Sequence, residues 1–153
     1  MPPENAEALA LIRQSSSTPI CTGESLYTVH EFRDLIMQQA ADVISPDIPK
    51  TGGLVEARKI AYLAEMYYIN LAPHNTSSAI GSMASVHACA TIPNFLALEY
   101  HGEWNQEWHD VIHHDRPIIE NGAIAVPEKP GLGIEINREV IGSLLLDDEQ
   151  LFD

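Results

Sequence analysis

An α/β fold in which short parallel strands alternate with helices is predicted by three observations. Four apolar runs, PICTGE, DVISPD, INLAPH and FLALE, each close on a polar side chain, at Glu24, Asp47, His74 and Glu99. Those residues fall 23, 27 and 25 positions apart, about the length of one strand, one helix and two loops. The segments between them carry apolar residues at helical spacing. Strands this apolar, alternating with helices, imply a parallel sheet covered on its faces.

The elements follow in order. After PPEN, residues 6–13 place apolar groups at helical spacing against a polar face, and the serines at 15–17 stop the run. Residues 20–22 read as a short buried strand closing at Gly23-Glu24, and Phe32, Leu35 and Ile36 mark a helix over residues 28–41. DVISPDI is the next strand. PKTGG turns the chain, and Ala57, Ile60, Ala61, Ala64 and Tyr68 form the apolar stripe of a helix over residues 54–68. INLAPHN is the third strand. It leads into a helix over residues 78–91 whose small side chains (Ala79, Gly81, Ala84, Ser85, Ala88) imply close packing, and FLALEYH is the fourth strand. Beyond His101 the pattern changes. GEWNQEWHDVIHHDRP is polar and aromatic, and ENGAIAVPEKPGLGIEIN reads as a short strand and a turn-rich stretch, so residues 102–146 are expected to form a lid ending in a helix over 138–146. Residues 147–153, DDEQLFD, are an acidic tail with no need for order.

With 153 residues, 45% of them hydrophobic, the chain has enough apolar side chains for one domain with a real core. Its net charge of −14, from 22 acidic and 8 basic residues, argues against nucleic acid as a partner, because a phosphate backbone is bound by clustered Lys and Arg. An excess of carboxylates suits a cation site as well as a solvated surface. Cys21 and Cys89 lack CxxC spacing and sit in apolar patterns, so both are expected as reduced core thiols. The stretch MPPENAEALALIRQ has no basic leader and its ALALI core is too short for a signal peptide or a membrane span, which makes the cytoplasm the expected address.

In a β/α barrel the carboxyl ends of the strands form the active-site mouth. Glu24, Asp47, His74 and Glu99 all stand at such ends, which makes them a candidate active site. Taken singly, each has a structural explanation: Glu24 as a helix cap, Asp47 after Pro46 as the cap of a turn, His74 as a satisfied loop histidine. Capping does not call for an acid or an imidazole at every strand, so the four in phase point to chemistry. His109, His113 and His114 have the spacing of a metal face on a helix but lack a nearby Cys or placed carboxylate, and are read as solvated. Trp104 and Trp108 are read as lid packing, His30 and His87 as structural, and Asn75, Thr76 and Ser77 as either substrate contacts or turn residues.

The runs STPICTGESLYT, ADVISPDIPKTGGLVEARKIAYLAE, LAPHNTSSAIGSMASVHACATIPNFLALEYH and VPEKPGLGIEIN resemble the carboxyl-terminal part of the enolase superfamily, within it the mandelate racemase subgroup and its acid-sugar dehydratases. The ordered combination GE, PD, APH and a late LE carries the resemblance over about residues 2–142. It implies the carboxyl-terminal half of a (β/α) barrel: strands five to eight over residues 1–101, and over residues 102–146 a segment that returns to a capping domain. By the same resemblance Glu24 corresponds to the third carboxylate ligand of a catalytic magnesium ion, Asp47 and His74 to an Asp-His dyad whose imidazole is the general base, and Glu99 to the acid that hydrogen-bonds the substrate carboxylate as it becomes an enediolate. The Lys base of the muconate-lactonizing subgroup is missing. Asp47 stands at that strand end and Lys50 lies three residues on, which favours the dyad subgroup.

The chemistry is coherent. A proton α to a carboxylate is so weakly acidic that its removal needs the dianionic intermediate stabilised on hard oxygen-bound cations, and this superfamily is known for pairing a Lys or His base with magnesium. The resemblance therefore implies a magnesium-dependent lyase that dehydrates a small carboxylate, an acid sugar, to a 2-keto-3-deoxy acid, or else a racemase, epimerase or cycloisomerase using the same first step. Met1 to Asn5 resemble the loop after the fourth barrel strand, so the capping domain, the first four strands and two metal-binding carboxylates are expected to be absent from this chain. One ligand does not make a tight magnesium site, and a half-barrel has open edges. The expectation is a chain inactive alone that self-associates as a homo-oligomer or pairs with a missing half-barrel, or a non-catalytic remnant.

Overall fold

The computed structural model describes residues 2–101, 106–113, 118–146 and 149–150. Along them run α1 (Ala6–Ser15), β1 (Cys21–Thr22), α2 (Thr28–Met37), β2 (Val43–Ile44), α3 (Leu54–Met66), β3 (Asn70–Leu71), α4 (Ala79–Cys89), α5 (Gln106–His109), β4 (Ile112–His113), β5 (Glu135–Ile136) and α6 (Arg138–Leu144). The strands β1, β2 and β3 make a parallel sheet in chain order, with Thr22, Ile44 and Leu71 in one row and Cys21, Val43 and Asn70 in the next. The fourth apolar run extends the sheet, but through a single parallel bridge between Leu71 and Phe95 rather than a full ladder. Leu71 N–H donates to Asn94 O at 2.9 Å and Leu96 N–H to Leu71 O at 2.7 Å. Pro93, which has no N–H to give, precedes the bridge and keeps it short.

Helix boundaries follow local chemistry. Asn5 caps α1 by accepting from Ala8 N–H at 3.0 Å. Helix α2 stops at Met37, before the predicted residue 41, because Gln39 turns left-handed (φ 48°) and Ala40 N–H closes back on Leu35 O at 3.0 Å. Tyr68 (φ 59°) ends α3 the same way, with Ile69 N–H donating to Ala64 O at 3.0 Å. Its side chain is therefore fully in solvent instead of closing the apolar stripe. The TGG turn opens α3: Gly52 (φ 109°) and Gly53 (φ 89°) adopt conformations that a side chain would strain, and Gly53 is the N-cap.

One core cluster joins the sheet to its helices. Phe32, Leu35 and Ile36 of α2 and Ile60, Ala61 and Ala64 of α3 pack on Ile44 and Leu71, with Ala6 of α1 at the margin. A smaller group, Ile48, Ala57, Ala88 and Cys89, joins α3 to α4. Because side chains alternate along a strand, the row holding Ile44 and Leu71 faces the helices and the Cys21–Val43–Asn70 row faces the other way. Cys21 is therefore exposed, a correction to its expected place in the core, whereas Cys89 is buried as expected and its thiol is pushed up to about 12 by that burial.

The C-terminal residues pack on the far side of α4. Ala79 and Met83 of α4 share a cluster with Val111 and Ile112, joined by half-buried Ile124, Ile134, Val140 and Ile141. Strands β4 and β5 pair antiparallel, and His87 of α4 contacts Leu132 O through Nε2 at 3.1 Å. The strand expected near residue 123 is reduced to one bridge, Glu120 to Ala123, and the paired strand lies later, at Glu135–Ile136. His113 is on β4 and His109 on α5, so they share no helical face; His114, Trp104 and most of the acidic tail lie outside the described residues. Trp108 is half exposed. Among the described residues no helix is long and apolar enough to cross a membrane.

Candidate active site

The sheet register places all four strand-end residues on one rim. In the row Thr22, Ile44, Leu71 and Phe95, Glu24 follows by two residues, Asp47 and His74 by three, and Glu99 by four. Proline fixes two of these exits: Pro46 and Pro73 are fully buried between the last ladder residue and the functional side chain, ending the ladder and fixing the turn. Glu99 is tied to the same rim by its N–H, which donates to Pro73 O at 3.1 Å.

The first exit depends on clearance. Gly23 has φ 134°, and a Cβ there would lie 2.9 Å from Cε1 of Phe32 and 3.3 Å from Ser45 N. The glycine of the GE pair is thus needed by packing, while the carboxylate beside it is 61% exposed at the rim. Glu24 does not cap α2, whose N-cap is Tyr27.

Asp47 and His74 are in direct contact. His74 Nδ1 lies 2.8 Å from Asp47 Oδ2, and both side chains are buried, at 11% and 3% exposure. Asp47 also does the turn work that its sequence allows: Oδ1 accepts from Lys50 N–H at 3.1 Å, and its carbonyl accepts from Thr51 N–H at 2.8 Å. Lys50 Nζ stands 3.6 Å from Oδ2, so the carboxylate that holds the imidazole is flanked by an ammonium. With Nδ1–H donating to the carboxylate, the lone pair of the neutral ring is on Nε2. That nitrogen points to the rim, 3.6 Å from Glu24 Oε2.

Glu99 is less enclosed. Its side chain is 41% exposed, and Oε1 lies 2.6 Å from His101 Nε2. Cys21 shows that the open face and the rim are continuous. Partial enclosure of its thiol raises the pKa, a hydrogen bond with Ser45 offsets part of that, and the carboxylates of Glu99 and Glu24 raise it further. The two glutamates thus act on one thiol from the rim.

Asn75, a candidate substrate contact, is instead wholly buried: its Nδ2 donates to Ser82 Oγ at 3.0 Å, which fastens the histidine loop to α4. Ser77 accepts from the same Ser82 hydroxyl through its carbonyl at 3.4 Å, and Thr76 is exposed beside the dyad. Cys21, Ser45 and His101 are the rim residues that the spacing argument missed. The signal for His101 was present, since residues i and i+2 of an extended run share a face.

The rim of this chain does not by itself fit a magnesium ion. Glu24 offers a hard oxygen, but among the described residues no group of three His, Cys, Asp or Glu side chains gathers closely enough to hold a metal. What the arrangement can do alone is take up a proton: Nε2 has a lone pair, Asp47 holds the ring from behind, and Glu24 faces the proton once it arrives.

A family model described as enolase C-terminal domain-like matches residues 1–140. D-xylonate dehydratase of Haloferax volcanii is 47% identical over 153 residues, covering 100% of this chain and 37% of that protein. The crystal structure of a mandelate racemase/muconate lactonizing enzyme-like protein from Rubrobacter xylanophilus superposes with a TM-score of 0.91 at 44% identity, over 100% of this chain and 39% of that one. An enolase from Agrobacterium radiobacter, crystallised with Na and L-malate bound, gives a TM-score of 0.82 at 29% identity, over 94% of this chain and 40% of that one. The chain thus spans well under half the length of each of these relatives.

Proposed function

This chain belongs to the enolase C-terminal domain-like family, and from that membership we propose that it supplies the general-base side of an acid-sugar dehydratase. The observation that carries the reading is the buried Asp47–His74 contact of 2.8 Å with Nε2 turned to the rim. The substrate is a small 2,3-dihydroxy carboxylate of the acid-sugar class. His74 Nε2 takes the proton α to the carboxylate, the electron pair moves into the carboxylate to form the enediolate, and Asp47 and Glu24 balance the imidazolium charge. In its acid form Glu99 donates a hydrogen bond to the substrate carboxylate as that group gains charge. The imidazolium then returns its proton to the departing β-hydroxyl, which leaves as water, and the enol formed becomes the 2-keto-3-deoxy acid.

Magnesium, which enolase-superfamily members use, would stabilise the enediolate, with Glu24 as this chain's contribution to its ligands. The remaining ligands and the groups that recognise the distal hydroxyls would have to come from parts of the family's barrel other than these four strands. Residues 102–146 are assigned to the segment that returns to a capping domain, and the open sheet face to contact with the rest of the barrel in a cytoplasmic enzyme, itself a homo-oligomer. The test is exchange of the substrate α-proton with deuterated solvent in a complete enzyme carrying these residues. Replacing His74 by Asn abolishes exchange while a fluorescence titration still reports substrate binding. Exchange that survives His74→Asn overturns the assignment.

A further inference from the structure

We propose that His101 is a positioning residue for Glu99, holding its Oε1 so that Oε2 is presented to the substrate carboxylate. The proposal rests on the dehydratase reading of the same rim. Glu99 sits on the edge run, which joins the sheet by one bridge, and its side chain is 41% exposed. A glutamate so placed samples several rotamers in water, and a group that must meet one substrate oxygen gains from being held in one of them. His101 is two residues on, on the same face of the extended run, and its Nε2 lies 2.6 Å from Glu99 Oε1. That is the length of a strong hydrogen bond, and with Oε1 accepting from the ring, Oε2 is the oxygen left to carry the proton donated to the substrate carboxylate. His101 is itself only 29% exposed, so the ring is less free than the carboxylate it holds. Further back, the Glu99 N–H on Pro73 O (3.1 Å) fixes the backbone of this pair to the loop that carries His74.

The rim therefore carries the same two groups twice with their order reversed. In the Asp47–His74 pair the carboxylate holds and the imidazole acts. In the Glu99–His101 pair the imidazole holds and the carboxylic acid acts. This gives His101 a role that a surface histidine lacks, and it requires only that the ring present an N–H, which glutamine also can.

Two measurements test it. On this chain, proton–nitrogen NMR of the imidazoles is expected to show the His101 Nε2–H signal well downfield in the wild type and shifted upfield in Glu99→Gln; an unmoved signal overturns the pair. In a complete enzyme carrying these residues, His101→Ala is expected to lower kcat for an aldonate substrate by about 10- to 100-fold, with KM changed by less. His101→Gln is expected to restore kcat to within about threefold of wild type, the two variants unfolding at the same urea concentration. A kcat unchanged in His101→Ala, or no recovery in His101→Gln, overturns the role. If the wild type turns over no aldonate, the dehydratase reading falls and the role with it, while the NMR signal still decides whether the pair exists.

Discussion

Two imidazole–carboxylate pairs share one rim, and they differ in how much protein surrounds them. Asp47 and His74 lie at 3% and 11% exposure, behind two buried prolines and on strands with neighbours on both sides or firm core contacts. Glu99 and His101 lie at 41% and 29%, on a run held by one bridge. The hydrogen-bond lengths are similar, 2.8 and 2.6 Å, so the difference is not in the contact but in its setting. A buried pair is costly to break and resists reorientation, which suits a base that must present one nitrogen. An exposed pair is cheap to break, and what it governs is the direction of a side chain rather than the stability of the fold.

The largest expected effect on this contrast comes from cutting each pair in turn. Asp47→Ala leaves the Nδ1–H of His74 buried without its acceptor and is expected to cost about 1–3 kcal/mol in urea unfolding. Glu99→Ala is expected to stay within about 0.5 kcal/mol. Equal losses would erase the distinction between a buried and an open pair. A smaller, chemical readout comes from the two thiols. An alkylating reagent is expected to modify Cys21 in the folded chain and leave Cys89 untouched, with the Cys21 rate still climbing above the usual thiol range because its pKa is raised. Comparable labelling of Cys89 would mean that the helix-covered side is no more closed than the open face.

The smallest effect concerns the opposite ends of the strands. Asp42 is held below the ordinary carboxylate range by Ile20 N–H and by Arg13 Nε, each at 2.8 Å. Its folded-state pKa is depressed, so its stabilisation is present above the unfolded carboxylate value and is lost as pH falls through the lower folded one. Replacing Arg13 with Ala is expected to make the acid limb of the stability–pH curve shallower, read by thermal melts between neutral pH and about pH 3. An unchanged limb would mean that Arg13 does not hold the Asp42 carboxyl low.

Much of the rim was legible because it is written in local sequence at a regular interval. A strand, a proline or glycine exit and a polar side chain recur together, and parallel pairing turns that period into proximity. The family resemblance then assigned roles that spacing alone left open. Helix ends were harder to read, since Gln39 and Tyr68 adopt left-handed caps that the sequence usually marks with glycine. Cys21 was misplaced because apolar neighbours do not say which strand face is covered; that follows only from the row it shares with Val43 and Asn70. The spacing of His109 and His113 allowed a shared helical face, whereas β4 begins at Ile112 and pairs with a strand more than twenty residues away, a contact that no local pattern announces.

The Gly23–Phe32 approach has a consequence for how such motifs are inherited. In the GE pair the glutamate stands exposed at the rim, and the glycine answers to its own backbone angle and to the ring of an α2 residue nine positions later. The two letters are thus constrained by different partners. Among related chains, position 23 should stay glycine even where the residue at 32 is small, because φ 134° strains any side chain there, whereas the acid at 24 is free of that constraint. Grafting the acid onto another scaffold would need the glycine wherever the strand exit keeps that backbone angle, whether or not an aromatic ring lies beneath it.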